Sequence, residues 1–369
     1  MVGYSPDHAG VDAEGPFQNP KADFAWQTYE ILSPETKEKF PLITCKNYDG
    51  HYDDGRYFHD LNKSHPRHAT GMFPQLSLAL AGYDGKTDED LIALAEKSKQ
   101  LNPGAAELMK HLLQNFGGEV YPITSSYTAV SLIMARDLGI QFDNVISNGR
   151  QHWKRASKKD LVDEVKARSP MRILSEHREE LGQFLVPYLK TCETLGQCYI
   201  TEQSPGTEEA IRTALGQHND LFENVVSSEL KDTLKQMFLT EKYVMGSHRK
   251  VDAMRKIDKD RREWVYIGDS IVDAMPIEFA NYGLSINMKD KHALSHSKLN
   301  VATTDVSTLI PVFDSIIEGD FNPEKLKREL DSEKIRVFTP HDIQSDIDTV
   351  ASVNGEMKDI LKAQYTVKI

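Results

Sequence analysis

The chain has 369 residues, 39% hydrophobic and 27% charged, which is typical of a globular protein of roughly two domains. Its formal net charge of -12 argues against a general nucleic-acid binder, which would carry a basic surface. No apolar run is long enough to span a membrane, and the polar N-terminus does not resemble a signal peptide. Cys45, Cys192 and Cys198 fit no common zinc spacing, so we expect reduced thiols in a cytoplasmic protein.

Two carboxylates lie close together near the N-terminus, in the segment Asp12-Ala13-Glu14-Gly15-Pro16. Glycine and proline force the chain to turn there, so the acids lie at the end of an extended segment. Side chains two apart in a strand share a face, which could direct both carboxylates into one site. Because Pro6 cannot serve in a central strand ladder, the strand is predicted to be short and to begin near His8.

The stretch from 17 to 100 is mixed and rich in predicted loops. A helix is predicted from 22 to 32, and Thr87-Asp88-Glu89-Asp90 is typical of a helix start. Residues 46–68 are dense in Tyr, Asp and His. Those side chains could be metal ligands, but the same residue types form ordinary tight turns, which is the interpretation we favour.

An alternation of helix and strand begins at Pro103, which with Gly104 opens a helix predicted to run to about Phe116. A strand over 119–123 is predicted to stop at Thr124, a helix follows to Leu138, and 142–147 is a further strand candidate. This order is typical of an α/β protein. From 151 to 245 the pattern is almost entirely helical. The basic cluster at 150–159 is interpreted as a solvated helix face.

The most informative stretch runs from Glu263 to Met275. Residues 264–267 are apolar and β-prone, as in a strand buried on both faces, and Asp269 and Asp273 follow the break at Gly268. Open α/β sheets bind ligands beyond the carboxyl ends of their strands, and two carboxylates there suit Mg²⁺. The alternative is a strand, a turn and a helix N-terminus carrying favourable acids. Beyond this stretch, strands are predicted at 284–286, 299–303 and 335–338. A helix is predicted at 306–317.

The chain resembles the haloacid dehalogenase-like (HAD) superfamily in four segments that follow the order of its motifs. They are Asp12-x-Glu14-Gly15, Thr124 after a strand, Lys250 before a helix, and Gly268-Asp269-Ser270-x-x-Asp273. A closer resemblance, from Asp12 to about Asp314, is to archaeal proteins called energy-converting hydrogenase A subunit R. It includes the stretches at 12–16, 47–49, 103–107, 125–128 and 268–273, and the subunit name implies no role for this chain.

The resemblance implies an α/β fold, with a HAD-like Rossmannoid parallel sheet as the core and two largely helical or mixed cap-like insertions. The core would comprise residues 1–16, 101–150 and 245–320. The first insertion would be 17–100 and the helical second one 151–244, both at the carboxyl edge of the sheet. Residues 321–369 would form a C-terminal extension packing on the core.

The resemblance also implies a chemistry: Asp12 would attack phosphorus, and Glu14 would be the acid/base. Thr124, with Ser125 beside it, and Lys250 would bind the phosphoryl group. Mg²⁺ would be held by Asp12, the backbone carbonyl of Glu14 and Asp269, with Asp273 in or next to the shell. The expected function is a Mg²⁺-dependent phosphatase acting on a small phosphorylated metabolite, with neither nucleic acid nor membrane as a partner. The oligomeric state is left open.

Two departures from the family keep other functions open. The segment before Asp12 contains Ser5-Pro6-Asp7-His8 instead of an apolar strand, and Glu14 replaces the usual Asp. Both favour, as an alternative, an accessory subunit that uses the fold as an interaction scaffold. The survival of all four polar motifs argues against that alternative. Phosphotransfer to an acceptor other than water is a third hypothesis.

Overall fold

The computed structural model describes residues 6–19, 24–41, 73–148, 160–200, 213, 217, 220–238, 247–258 and 263–364. Within them a seven-stranded sheet has the order β3-β2-β1-β4-β5-β6-β7. All pairs are parallel except β6 with β7, which is antiparallel. The architecture is therefore Rossmann-like α/β, as predicted. The strands are β1 His8–Val11, β2 Val120–Tyr127, β3 Ile146–Asn148, β4 Trp264–Gly268, β5 Tyr282–Ile286, β6 Leu299–Thr303 and β7 Ile335–Phe338.

The central strands are buried on both faces, which is why they are apolar without strict alternation. Every residue of β1, β4 and β6 is buried. On one face Val265 and Ile267 join a cluster with Val11. On the other face Trp264 and Tyr266 join a second cluster. The predicted short first strand beginning at His8 is confirmed.

The second strand is longer than predicted. We expected it to stop at Thr124, but β2 continues to Tyr127, and the next helix begins at Thr128. The pairing of β2 with β3 shifts register between Ile123 and Tyr127. Residues 124–126, Thr-Ser-Ser, therefore belong to the strand, with an irregular pairing to β3. The sequence did not predict this, because these residues were expected to end the strand.

Helices cover both faces of the sheet. The predicted helix start at Thr87 is confirmed: its hydroxyl and the Asp90 carboxylate form a reciprocal capping box. The α-helices that the structure describes before β4 are Glu14–Phe17, Phe24–Glu30, Pro34–Lys39, Phe73–Tyr83, Asp88–Ser98, Ala105–Asn115, Thr128–Leu138, Leu161–Arg168, Met171–Glu176, Arg178–Ile200, Ser228–Phe238 and Ser247–Ile257. Those that follow it are Ala274–Phe279, Lys291–Ser295, Ile310–Ile317, Pro323–Leu330, Pro340–Ser345 and Ile347–Gln364.

Most of the described helices between 24 and 98 and between 171 and 238 contribute to one hydrophobic cluster. Leu80 of the first range and Phe184 of the second both belong to it, together with Tyr127 at the end of β2. The stretch at 46–68 and the basic cluster at 150–159 lie outside the described residues. Among the residues that are described, none of the helices has both the length and the apolarity that crossing a membrane requires.

Candidate active site

Acidic side chains follow the carboxyl ends of two neighbouring strands, β1 and β4, at the same edge of the sheet. Strands β1 and β4 are parallel, with Val11 paired to Ile267. The Asp12 backbone N–H donates to the Ile267 carbonyl at 2.9 Å, so Asp12 and Asp269 leave the sheet side by side. This is the edge at which such sheets bind ligands.

Three buried carboxylates meet at this edge. Asp12, Asp269 and Asp273 each offer an oxygen, and these atoms lie within 4.8 Å of one another. Gly15 makes this convergence sterically feasible, because a Cβ there would lie only 1.7 Å from Asp269 Cγ. The glycine after Glu14 thus allows the turn that follows β1 to pass directly over the Asp269 carboxylate.

Lys250 supplies a buried positive charge between two of the acids. Its ammonium lies 2.6 Å from Asp273 Oδ1 and 3.2 Å from Asp12 Oδ1. It comes from the first turn of the helix Ser247–Ile257, and its side chain has no exposed surface. Buried charges persist only when they are paired, and here a single ammonium faces two carboxylates, which leaves one negative charge in excess when both are ionised.

Asp273 is saturated with hydrogen bonds. Its Oδ1 accepts from Lys250 Nζ at 2.6 Å and from the Tyr266 hydroxyl at 2.7 Å. Its Oδ2 accepts from the Asp269 and Ser270 backbone N–H groups and from the Ser270 hydroxyl. Burial acts to raise the pKa of Asp273, but Lys250 and these donors hold it below its ordinary value. Both oxygens are committed to the protein, so Asp273 organises the site more than it faces a ligand.

Asp12 has the opposite electrostatic environment. Burial and then the negative charge of Asp273 raise the pKa of Asp12 to about 7, although Lys250 opposes the change. Its Oδ1 accepts the Ala13 N–H at 2.8 Å and contacts Lys250. Oδ1 is therefore fixed by two contacts, and Oδ2 has no hydrogen-bond partner among the described residues.

Asp269 has a partner that the sequence did not indicate. Lys358 lies 2.7 Å from Asp269 Oδ2 and donates to the Asp269 carbonyl at 2.9 Å. It belongs to the helix Ile347–Gln364 in the C-terminal extension. A lysine in a charged amphipathic helix gives no local signal that it points into a site.

Asn102 is a second side chain that sequence analysis missed. Its amide donates to the Gly15 carbonyl at 2.8 Å and, at longer range, to the carbonyls of Pro16 and Gln18. The Asn102 backbone also donates to the Phe17 carbonyl. One buried asparagine thereby holds the turn that follows Asp12. Nothing in the sequence around it indicated this role.

The remaining predicted site residues are less tightly connected. Thr124 is buried two positions beyond Pro122, the partner of Val11, and its hydroxyl accepts the Ser126 N–H at 3.1 Å. The Ser125 carbonyl accepts from the Asn148 amide. In the described structure neither Thr124 nor Ser125 bonds directly to the acidic cluster. Glu14 begins the helix Glu14–Phe17, and its side chain lies outside what is described.

The two acids after β4 should respond differently to substitution. Asp269→Asn is expected to weaken Mg²⁺ binding much more than Asp273→Asn. Asp273→Asn should instead cost about 3 kcal/mol of stability, because it disturbs a buried, hydrogen-bonded ion pair. Calorimetric titration with Mg²⁺ and urea unfolding of both variants would measure the two effects. Equal losses of Mg²⁺ affinity would contradict this ranking.

Comparison with known proteins adds a fold relationship. No protein-family model matches the sequence, and no curated protein matches it. The chain is similar to a solved structure, that of gene product AF1437 from Archaeoglobus fulgidus. The two share 19% sequence identity over 97% of each chain, with a TM-score of 0.61. At this identity the likeness shows a shared α/β fold and does not extend to activity.

Proposed function

We propose that this protein is a HAD-type, Mg²⁺-dependent phosphohydrolase that cleaves small phosphorylated metabolites through an aspartyl-phosphate intermediate. One observation carries the proposal: Asp12, Lys250, Asp269 and Asp273, from three separate segments, converge at the ligand-binding edge of the sheet. Phosphoryl transfer depends mainly on positioning and charge stabilisation, and this cluster offers a nucleophile, a fixed cation and acidic oxygens.

The donor set fits Mg²⁺. Carboxylate oxygens are the ligands this ion prefers, and Asp12 and Asp269 present them from adjacent strands. The Lys358 ammonium already contacts a carboxylate and a backbone oxygen of Asp269, which supports this position as one that takes a positive charge. The ion, when bound, would offset the negative charges of Asp12 and the phosphate as they approach.

Each side chain of the site would have a separate role in the reaction. Asp12 Oδ2 would form the bond to phosphorus while the bond from phosphorus to the ester oxygen breaks. By the family resemblance, Glu14 would give the departing oxygen its proton and later take one from the attacking water, which releases phosphate and regenerates Asp12. Lys250, 3.2 Å from Asp12 Oδ1, would restrain rotation of the nucleophile.

An accessory, non-catalytic role is the second candidate, and the contact between Lys358 and Asp269 favours it. With Lys250 and Lys358 in place, each of the three carboxylates has a cationic partner without any bound ion. A scaffold protein could persist in that state. Transfer of the phosphoryl group to an acceptor other than water is a variant of the leading proposal and would use the same residues.

A phosphatase screen separates these functions. Purified protein would be tested against a panel of phosphorylated metabolites with Mg²⁺, beside Asp12→Asn as the matched control. We expect phosphate release by the wild type and none by the variant. Phosphate release by both would indicate a contaminant. No release by either protein, with or without alternative acceptors, would favour the scaffold.

Glu14 should have a role separable from that of Asp12. Glu14→Gln removes proton transfer, which typically contributes on the order of 10²–10⁴ in rate. The loss should be small for formation of the intermediate from an activated aryl phosphate, whose leaving group needs no proton. It should be large for an alkyl phosphate. The pre-steady-state burst would measure this step, because hydrolysis of the intermediate slows in both cases. A wild-type burst with the alkyl substrate would refute the acid/base assignment.

A further inference from the structure

The C-terminal extension places a cation inside the candidate active site. Lys358 Nζ lies 2.7 Å from Asp269 Oδ2 and donates to the carbonyl of the same residue at 2.9 Å. The Lys358 side chain is 14% exposed and that of Asp269 is 9% exposed. This is therefore a largely desolvated ion pair and unlike the mobile lysines of a protein surface.

The helix that carries Lys358 is fixed on both sides of it. Asn354, one turn earlier, is fully buried and donates to Asn300 Oδ1 on β6 at 2.9 Å. Leu361, nearly one turn later, is also fully buried, and its carbonyl accepts from the Asn19 amide at 2.9 Å. Residues at these spacings share one helix face. Strand β6 and the segment around Asn19 thus hold Lys358 against Asp269 from two directions.

The charges of the cluster divide into two groups. Lys250 contacts Asp12 and Asp273, whereas Lys358 contacts Asp269. Asp269 therefore depends on Lys358 for its compensating charge. Asp269 is also the carboxylate expected to bind the metal most directly, because the oxygens of Asp273 are committed to the protein.

We propose that Lys358 is a built-in counter-cation that stands in for the divalent ion at Asp269. This inference rests on the proposed metal site. Without the ion, Lys358 neutralises Asp269 and keeps the C-terminal helix docked. When the ion binds, two positive charges compete for one carboxylate, so the ammonium must leave Asp269. Lys358 thus lowers divalent-ion affinity and couples the position of the helix to occupancy of the site.

Removal of the Lys358 charge tests this competition. Lys358→Met should bind Mg²⁺ at least about tenfold more tightly than the wild type, because a neighbouring positive charge is lost. Its metal-free form should unfold at a lower temperature, and saturating Mg²⁺ should close the gap. Lys358→Arg should behave like the wild type. Lys362→Met is the matched control, since it removes an exposed charge from the same helix. Calorimetry and thermal unfolding provide both readouts without an activity assay.

The outcomes separate this inference from the proposed function. If the wild type binds Mg²⁺ and Lys358→Met binds it equally or more weakly, the competition is refuted while the metal site stands. If neither protein binds the ion, the metal site fails and the inference falls with it. A loss of stability in Lys358→Met that is equal with and without Mg²⁺ would show a packing role only. Lys358→Gln, which keeps a hydrogen-bonding side chain, replaces Met if that variant does not fold.

Discussion

Replacing Asp12 by Asn is expected to abolish turnover and, at the same time, to stabilise the metal-free protein. The nucleophile is lost, so no aspartyl-phosphate can form. The stability gain follows from the raised pKa of Asp12, about 7 against an ordinary 3.8. The folded state holds the proton more tightly than the unfolded chain, so ionisation of Asp12 opposes folding.

The pH dependence of this effect has a defined sign. The contribution of protonated Asp12 is fully present below pH 4 and is lost as the pH rises through about 7. At 1.36 kcal/mol per pKa unit, the loss amounts to about 4 kcal/mol. Asparagine is always neutral and keeps an oxygen that can accept the Ala13 N–H. The stability advantage of the variant should therefore widen from pH 5 to pH 8.

Urea unfolding in the presence of a chelator would measure the difference at both pH values. Asp348→Asn, which changes an exposed carboxylate, is the control and should show no such widening. An Asp12→Asn variant that is less stable than the wild type at pH 8 would mean that the carboxylate is compensated in the folded state. Saturating Mg²⁺ should shrink the gap, because the ion would stabilise the ionised wild-type site and not the amide.

Removal of Lys250 should be the most damaging single change at the site. Lys250→Met leaves Asp12 and Asp273 buried together without the ammonium that pairs with both. Breaking a buried pair from one side typically costs roughly 3–5 kcal/mol. The cost should be larger at pH 8 than at pH 5, because protonation of Asp12 relieves part of the repulsion.

A double-mutant cycle isolates the cause. Lys250→Met combined with Asp12→Asn should be more stable than Lys250→Met alone, since one of the uncompensated charges is gone. Urea unfolding of the four proteins at pH 8 would give the coupling free energy. Additive effects would argue that Lys250 stabilises the protein through packing of its alkyl chain. In that case the buried cluster would not be held together by charge.

The sequence was sufficient for the parts of the fold that have local signals. The bounds of β6 and β7 were predicted to the residue, and β4 was predicted to within one residue, because each is a short run that contains β-branched or aromatic residues. The direction of β7 had no such signal, since antiparallel pairing at a sheet edge depends on the path of the chain before it. The extension of β2 through Thr124 depends on its register with β3.

In the candidate site, too, some residues could be predicted from local sequence and others could not. The acids after β1 and β4 were found because each follows a strand end, and parallel strands bring such ends together. Lys358, Asn102 and the Tyr266 hydroxyl were missed. Two of them act across a large separation in sequence: Lys358 and Asp269 are 89 positions apart, and Asn102 and Gly15 are 87 apart. Tyr266 bonds Asp273 only 7 positions away, but its place in an apolar strand gave no sign that its hydroxyl enters the site. Only the packed structure brings such partners together, and no local pattern encodes that.

The central position of β1 has a consequence for how the protein is made. Ala9 pairs with Val120 and His8 with Trp264, so one of its neighbours is 256 positions along the chain (264 − 8). Contacts of such sequence separation slow folding, because a long loop must close before the pairing is gained. At synthesis rates of about 5–20 residues per second, His8 waits on the order of tens of seconds for Trp264 to emerge from the ribosome. Only two of the four residues of β1 have apolar side chains. The unpaired segment should therefore have a low tendency to aggregate before its partner strands are synthesised.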